Sequence, residues 1–133
     1  MTVRTVIDAS AALHLVMRSA SSSGFMNTLE KSRIVLAPAL FHAEVANALW
    51  KYLQAGIIDK PTAVTRLTEA RDLVDVFEPD DSLCTEALSL AALHDHPVYD
   101  ALYVVVALRH GATLMTADKR LARLAAKIDP SLI

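Results

Sequence analysis

Glycine occurs only three times in 133 residues, at Gly24, Gly56 and Gly111. That scarcity excludes a glycine-rich dinucleotide fingerprint and a phosphate-cradling loop, both of which need closely spaced glycines. The single cysteine, Cys84, rules out an internal disulfide framework and a multi-cysteine zinc site, and it fits a reducing compartment. An excess of positive charge is also missing. The 13 Lys and Arg face 15 Asp and Glu, a net charge of −2, so any contact with a nucleic acid has to be local. Three Phe, three Tyr and one Trp are too few for a broad base-stacking platform. The longest apolar run, Ala101 to Leu108, falls far short of the roughly 20 residues that cross a bilayer, and it reads as a buried helix. The start, Met1 to Asp8, has no apolar run behind a basic opening, so no secretory leader and a cytoplasmic location are expected.

What the chain does have is apolar material, 53% of its residues against 21% charged. That is enough for one domain spanning 1–133 around a sizeable core. Val3 to Ile7 reads as a β-branched strand feeding a helix over Ala9 to Met17. Ser19 to Gly24 reads as a break, with Phe25, Met26 and Leu29 at helical spacing beyond it and Arg33 to Leu36 as a second strand. Pro38 is expected to open a helix whose stripe of Phe41, Val45, Ala48, Leu49 and Tyr52 stops at Gly56. Pro61 begins another helix, carrying Ala63, Leu67, Ala70 and Val74, and Val74 to Phe77 reads as a strand before Pro79. Asp80-Asp81-Ser82 is expected to cap the helix of Leu83, Ala87 and Leu90. After a polar turn from His94 to Pro97, a helix over Tyr99 to His110 ends at Gly111. Thr113 to Met115 is the last strand, and a basic helix follows Asp118 as far as Lys127. Strands alternating with helices imply a three-layer α/β/α sandwich with a short, mostly parallel sheet.

In such a sheet, sites form beyond the carboxyl ends of the strands, and there the sequence places acids. Asp8 and Asp118 each have a plain reading as helix caps, and Asp100 as a first-turn acid favoured by the helix dipole. Glu44 lies in the second turn of a helix beside an apolar stripe, where an unpaired carboxylate is costly unless something positive faces it. Taken together, one acid after the first strand, one after the last and two near helix starts can converge. Such carboxylates without histidine or cysteine around them suit a hard divalent cation, Mg2+ or Mn2+. Carboxylate-held metal beside a phosphate points to phosphodiester hydrolysis.

Ile7-Asp8-Ala9-Ser10, Glu44-Val45-Ala46-Asn47-Ala48-Leu49, Tyr99-Asp100-Ala101-Leu102-Tyr103 and Thr116-Ala117-Asp118 resemble, in order and spacing from Val3 to Leu124, the motifs of PIN-domain ribonucleases, VapC-type toxins in particular. The resemblance implies an endoribonuclease with Asp8, Glu44, Asp100 and Asp118 as catalytic metal ligands, Ser10 and Thr116 as hydroxyls supporting them, and a PIN-like fold. It also implies a homodimer and a groove for a VapB-like antitoxin that blocks the site and supplies the DNA-binding part of a joint complex. Asn47, one turn after Glu44, is placed to hydrogen-bond the same cluster.

Lys119, Arg120 and Arg123 follow Asp118 as candidate RNA phosphate contacts, with Arg109 and Lys51 expected nearby. If the four acids bind metal, 13 basic residues face 11 remaining acidic ones, so charge does not forbid an RNA substrate. His94 and His96 are two apart in a turn and lack a spaced third ligand, so they read as solvated loop residues. Cys84 reads as a buried small hydrophobe, and Phe41 and Trp50 as core. Leu13, Val16, Met17, Phe25 and Trp50 together exceed what one small core buries and are a candidate interface. An aspartyl-phosphate mechanism needs a second aspartate two residues after the first, where Ser10 stands. A receiver domain needs an acidic pair after the first strand and a mid-chain aspartate, and neither is there. The remaining competitor is a PIN-like binding module without activity.

Overall fold

The computed structural model describes residues 3–133; Met1 and Thr2, which open the stretch read as lacking a leader, lie outside the described residues. The chain runs β1 (Arg4–Ile7), α1 (Ala9–Val16), α2 (Ser22–Lys31), β2 (Ile34–Pro38), α3 (Leu40–Gln54), α4 (Lys60–Asp72) and β3 (Val76–Glu78). After a single 3-10 turn at Asp80–Ser82 come α5 (Cys84–His94), α6 (Val98–His110), β4 (Thr113–Met115) and α7 (Lys119–Ile128). The four strands form one sheet in the order β3-β2-β1-β4, parallel throughout, with Thr5 beside both Val35 and Thr113 and Leu36 beside Val76. The chain steps outward from β1 to β3 and then returns to the other flank of β1, so the topological switch lies between β1 and β4.

Side chains alternate across the strands. Val6, Leu36 and Leu114 pack with α5, α6 and α7 on one face, while Ile7, Val35, Ala37 and Met115 pack with α1, α3 and α4 on the other. Each face is therefore covered by helices, as a parallel sheet requires. The run over Ala101 to Ala107 is buried all round because α6 lies between the sheet and α5. Gly111 adopts the left-handed conformation, φ +58°, and its amide closes α6 on the Ala107 carbonyl.

Several local expectations need correction. Pro38 ends β2, paired with Glu78, rather than opening α3. Asp80 does not cap α5; its carboxylate accepts the Leu40 amide at 3.0 Å and caps α3 instead. Ser22, Ser23 and Gly24 form the first turn of α2, so the serine-rich break is shorter than its composition suggests. Val74 is buried but sits after α4, ahead of β3. Cys84 is exposed, and it is its neighbour Leu83 that enters the core. Trp50 is 53% exposed: the inward face of α3 is set by Phe41, Val45 and Leu49, and Trp50 lies about 100° past Leu49. Leu13 and Val16 are buried in the chain's own core, and Met17 and Phe25 pack against it, so of the five candidate interface residues only Trp50 is exposed. Arg109 is held by Glu86, Glu78 and the Ser82 carbonyl, and is not one of the residues around the acids. Among the described residues no helix is long and apolar enough to cross a membrane.

Candidate active site

The four acids meet where the topology predicts. A cavity of about 260 Å3 is lined by Asp8, Glu44, Asp100 and Asp118, together with Asn47 and Lys51. It sits past the carboxyl ends of β1 and β4, at the switch between them, the usual ligand position in open parallel sheets. Asp8 reaches it from the end of β1, Asp118 from the residues after β4, Glu44 from α3 and Asp100 from the first turn of α6.

Asp8 is the most constrained of the four, only 4% exposed. Its Oδ1 accepts the Ala11 amide at 2.9 Å, capping α1. The Ser10 hydroxyl stands 2.8 and 2.9 Å from its two oxygens, and the Thr116 hydroxyl donates to Oδ2 at 2.5 Å. Thr116 also accepts the Asp118 amide of its own loop, and Ser10 accepts the Ala117 amide from across the cleft, each at 2.9 Å. The two hydroxyls thus tie the loop after β4 to the end of β1. Burial pushes the Asp8 carboxyl above its ordinary range, against the hydrogen bonds from Thr116, Ala11 and Ser10, which favour the ionised form.

Glu44 is half-buried. Burial raises its carboxyl as well, the Tyr103 hydroxyl opposes that rise, and the charges of Asp100, Asp8 and Asp118 add to it. Tyr103 donates to Glu44 Oε1 at 2.5 Å. Its own ionisation is pushed far above the usual phenol range, first by burial and then by the Glu44 charge, so it remains a donor. Asp100 Oδ2 lies 2.8 Å from His96 Nε2. Asp118 Oδ1 accepts the amides of Arg120 and Leu121 at 2.9 and 3.4 Å, capping α7. For Asp8 and Asp118, capping and membership of the acid cluster are therefore two roles of one side chain.

Tyr103 and His96 are supports that the sequence did not assign to the site; His96, read there as a solvated loop residue, has a side chain only 11% exposed and meets Asp100 instead. Tyr103 sits in an apolar run, where the plain reading is core, and it is 1% exposed; its hydroxyl nonetheless needs a partner, and a core tyrosine one turn after Asp100 was the available signal. His96 precedes Asp100 by four residues, across the Pro97 that starts α6, so the pair is read only once the turn is known to fold back. Asn47 lines the cavity without a hydrogen bond to the four acids among the described residues, and Lys51 brings a positive charge to the same wall.

The donor set suits a hard divalent cation. Among the described residues no three His, Cys, Asp or Glu side chains already stand close enough to close around an ion. However, Glu44, Asp100 and Asp118 each commit one oxygen to a protein partner and, among the described residues, leave the other without one. The fixed oxygen orients each carboxylate, and the free oxygens of three acids plus Asp8 give the all-oxygen donor set that Mg2+ or Mn2+ prefers.

Known proteins resemble this chain along most of its length. A family model described as PIN domain matches residues 5–127. Ribonuclease VapC3 of Pyrobaculum aerophilum is 30% identical over 122 residues, covering 90% of this chain and 93% of that protein. Ribonuclease VapC1 of Mycobacterium tuberculosis is 32% identical over 117 residues, 88% of this chain and 87% of its own. The crystal structure of PAE2754 from Pyrobaculum aerophilum superposes with a TM-score of 0.72 at 28% identity, covering 92% of this chain and 79% of that one.

Proposed function

This chain belongs to the PIN-domain family, and from that premise we propose that it is a metal-dependent endoribonuclease of the VapC kind, acting as the toxin of a toxin–antitoxin pair. The observation that carries the reading is the convergence of Asp8, Glu44, Asp100 and Asp118 on one cavity at the β1/β4 switch. The ribonuclease names of relatives matched along most of their length support it.

In this reading the four carboxylates hold Mg2+ or Mn2+, which when bound lowers the pKa of water and offsets charge on a phosphodiester. The chain's own side chains do the positioning. Ser10 and Thr116 fix Asp8 with both oxygens engaged, so the carboxylate cannot rotate away from the cleft. Tyr103 fixes Glu44 and His96 fixes Asp100. Lys119, Arg120 and Arg123, all exposed at the start of α7, bind RNA phosphates beside the cleavage point, and Lys51 balances charge on the opposite wall. With few aromatics to stack bases, selection rests on RNA shape and a few bases in single-stranded loops of structured RNA. Residues 1–133 act as one PIN-like domain in the cytoplasm, as a homodimer. A VapB-like antitoxin closes the acidic cleft, and DNA is reached only through that partner.

The test is cleavage of a structured RNA pool by purified protein with Mg2+ or Mn2+ and then with chelator, beside Asp8→Asn purified identically. Cleavage that needs the cation and vanishes in the variant is the expected result. Absence of cleavage by the wild type overturns the enzymatic reading in favour of a binding module, and cleavage retained by Asp8→Asn overturns the site.

A further inference from the structure

Next to the acidic cleft lies a second, roomier cavity of about 550 Å3 between the turn after α5 and the exposed side of α7. Arg120, Arg123 and Lys127 line one wall, and His94, Asp95 and His96 the other. The three cations recur at the i, i+3, i+7 spacing that puts them on one helix face, while Leu121 and Ala125 turn into the core and Leu124, also buried, floors the cavity. Among the described residues none of the three stands within ion-pair distance of a carboxylate, whereas Arg66 and Arg109 do. Asp95, held at the left-handed end of α5 with φ +50°, is the one acid in the lining.

Both walls are tied directly to the cleft. His96 lines the basic cavity while its Nε2 meets Asp100 Oδ2 at 2.8 Å, and Arg120 lines it while its amide meets Asp118 Oδ1 at 2.9 Å. A phosphodiester chain whose scissile group sits among the acids therefore has the basic cavity beside it. Guanidinium groups match phosphate oxygens in pairs, and the His94 ring adds a donor. The lining contains no Phe, Tyr or Trp, so it offers grip on a backbone and no platform for a base.

We propose that this cavity is a phosphate subsite for single-stranded RNA, holding the backbone to one side of the scissile bond through Arg120, Arg123, Lys127 and His94. The proposal rests on the reading of the acidic cleft as an RNA-cleaving site and extends it to a residue, Lys127, a full two turns from Asp118, and to a histidine on another helix. Contacts of this kind add affinity without reading sequence, so the subsite sets how long a substrate must be rather than which bases it carries.

The experiment measures binding of a fluorescent twelve-nucleotide oligouridylate and of a three-nucleotide one by anisotropy across a salt series, with Mg2+ present. The proteins compared are Asp8→Asn as the parent and the same protein carrying Arg123→Gln with Lys127→Gln, His94→Gln, or Lys31→Gln as a distant charge control. Two lost phosphate contacts flatten the salt slope of the long oligonucleotide by about 1.4 and weaken it roughly 25-fold at 0.1 M salt, at about 0.7 in the slope per contact. The expected loss with His94→Gln is smaller, Lys31→Gln leaves the slope unchanged, and the short oligonucleotide is affected less than the long one.

An unchanged slope in the double variant overturns the subsite while leaving the cleavage reading intact, provided wild-type protein cleaves RNA. Wild type that neither binds nor cleaves RNA overturns both. Polyglutamate that binds the parent as tightly as the long oligonucleotide, and loses affinity in the same variants, assigns the cavity to an acidic peptide instead and overturns the proposal.

Discussion

The Tyr103 hydroxyl donates to Glu44 Oε1 across 2.5 Å, linking the most buried aromatic side of α6 to the one acid that projects from α3. This bond favours the ionised carboxylate, against burial and three neighbouring charges that disfavour it. Tyr103→Phe keeps the ring and removes the donor, so the Glu44 carboxyl rises further. The expected outcome is an acidic limb of the cleavage-rate profile displaced to higher pH, with a stability cost of about 1 kcal/mol. Rate profiles of wild type and variant that superpose would show that Tyr103 serves only the core.

Burial holds the Asp8 and Glu44 carboxyls above their ordinary ranges, and the sign of the consequence for folding follows. The native state binds these protons more tightly than the unfolded chain does, so their contribution to stability is present at low pH and is lost as pH rises through the raised native values. Without divalent cation, Tm should therefore climb as pH falls from neutrality towards the ordinary carboxylate range. Asp8→Asn, which keeps the Ala11 cap and removes the buried charge, should be at least as stable as wild type at neutral pH and show a weaker climb. Chelator-treated protein in scanning calorimetry provides the measurement; a Tm that falls over that interval would contradict the assignment.

Divalent cation should act in the opposite direction, since it binds the ionised acids. Saturating Mg2+ or Mn2+ at 100 times its dissociation constant stabilises the native state by about 2.7 kcal/mol. The shift should shrink in Asp8→Asn and in Asp118→Asn, and persist in Arg123→Gln. Equal shifts in all four proteins would place the cation elsewhere on the surface.

Two glycines separate backbone strain from space. A Cβ meets nothing within 4 Å at either Gly111 or Gly24, but only Gly111 has a positive φ, +58°. Gly111→Ala should cost about 1 kcal/mol in urea denaturation, whereas Gly24→Ala, in the first turn of α2, should be neutral or slightly stabilising. Equal effects would mean that the α6 cap tolerates a side chain.

The sheet and the acids were legible because they rest on short-range signals: a β-branched run ending in Asp8, a second ending before Thr116-Ala117-Asp118, and helical stripes bearing Glu44 and Asp100. What escaped depends on contacts between segments far apart in sequence. Asp80 caps α3 rather than the nearer α5 because the turn after β3 passes the end of β2. Arg109 turns to Glu86 of α5 and Glu78 at the end of β3, neighbours that only the tertiary packing of α6 supplies. Trp50 and Cys84 each lie one position past the residue that faces inward, and a one-residue error on a helix turns a side chain by about 100°.

The placement of β1 between β2 and β4 also orders events in time. The hydroxyl that holds Asp8, on Thr116, is made 108 residues after it. At the usual pace of translation that gap takes about 5 to 20 seconds. During it the growing chain carries Asp8 and Glu44 with neither the loop after β4 nor Asp118 to complete the cleft. Until Asp118 has been made no growing chain carries all four acids, so the cleft is completed only once β4 and the loop after it have emerged.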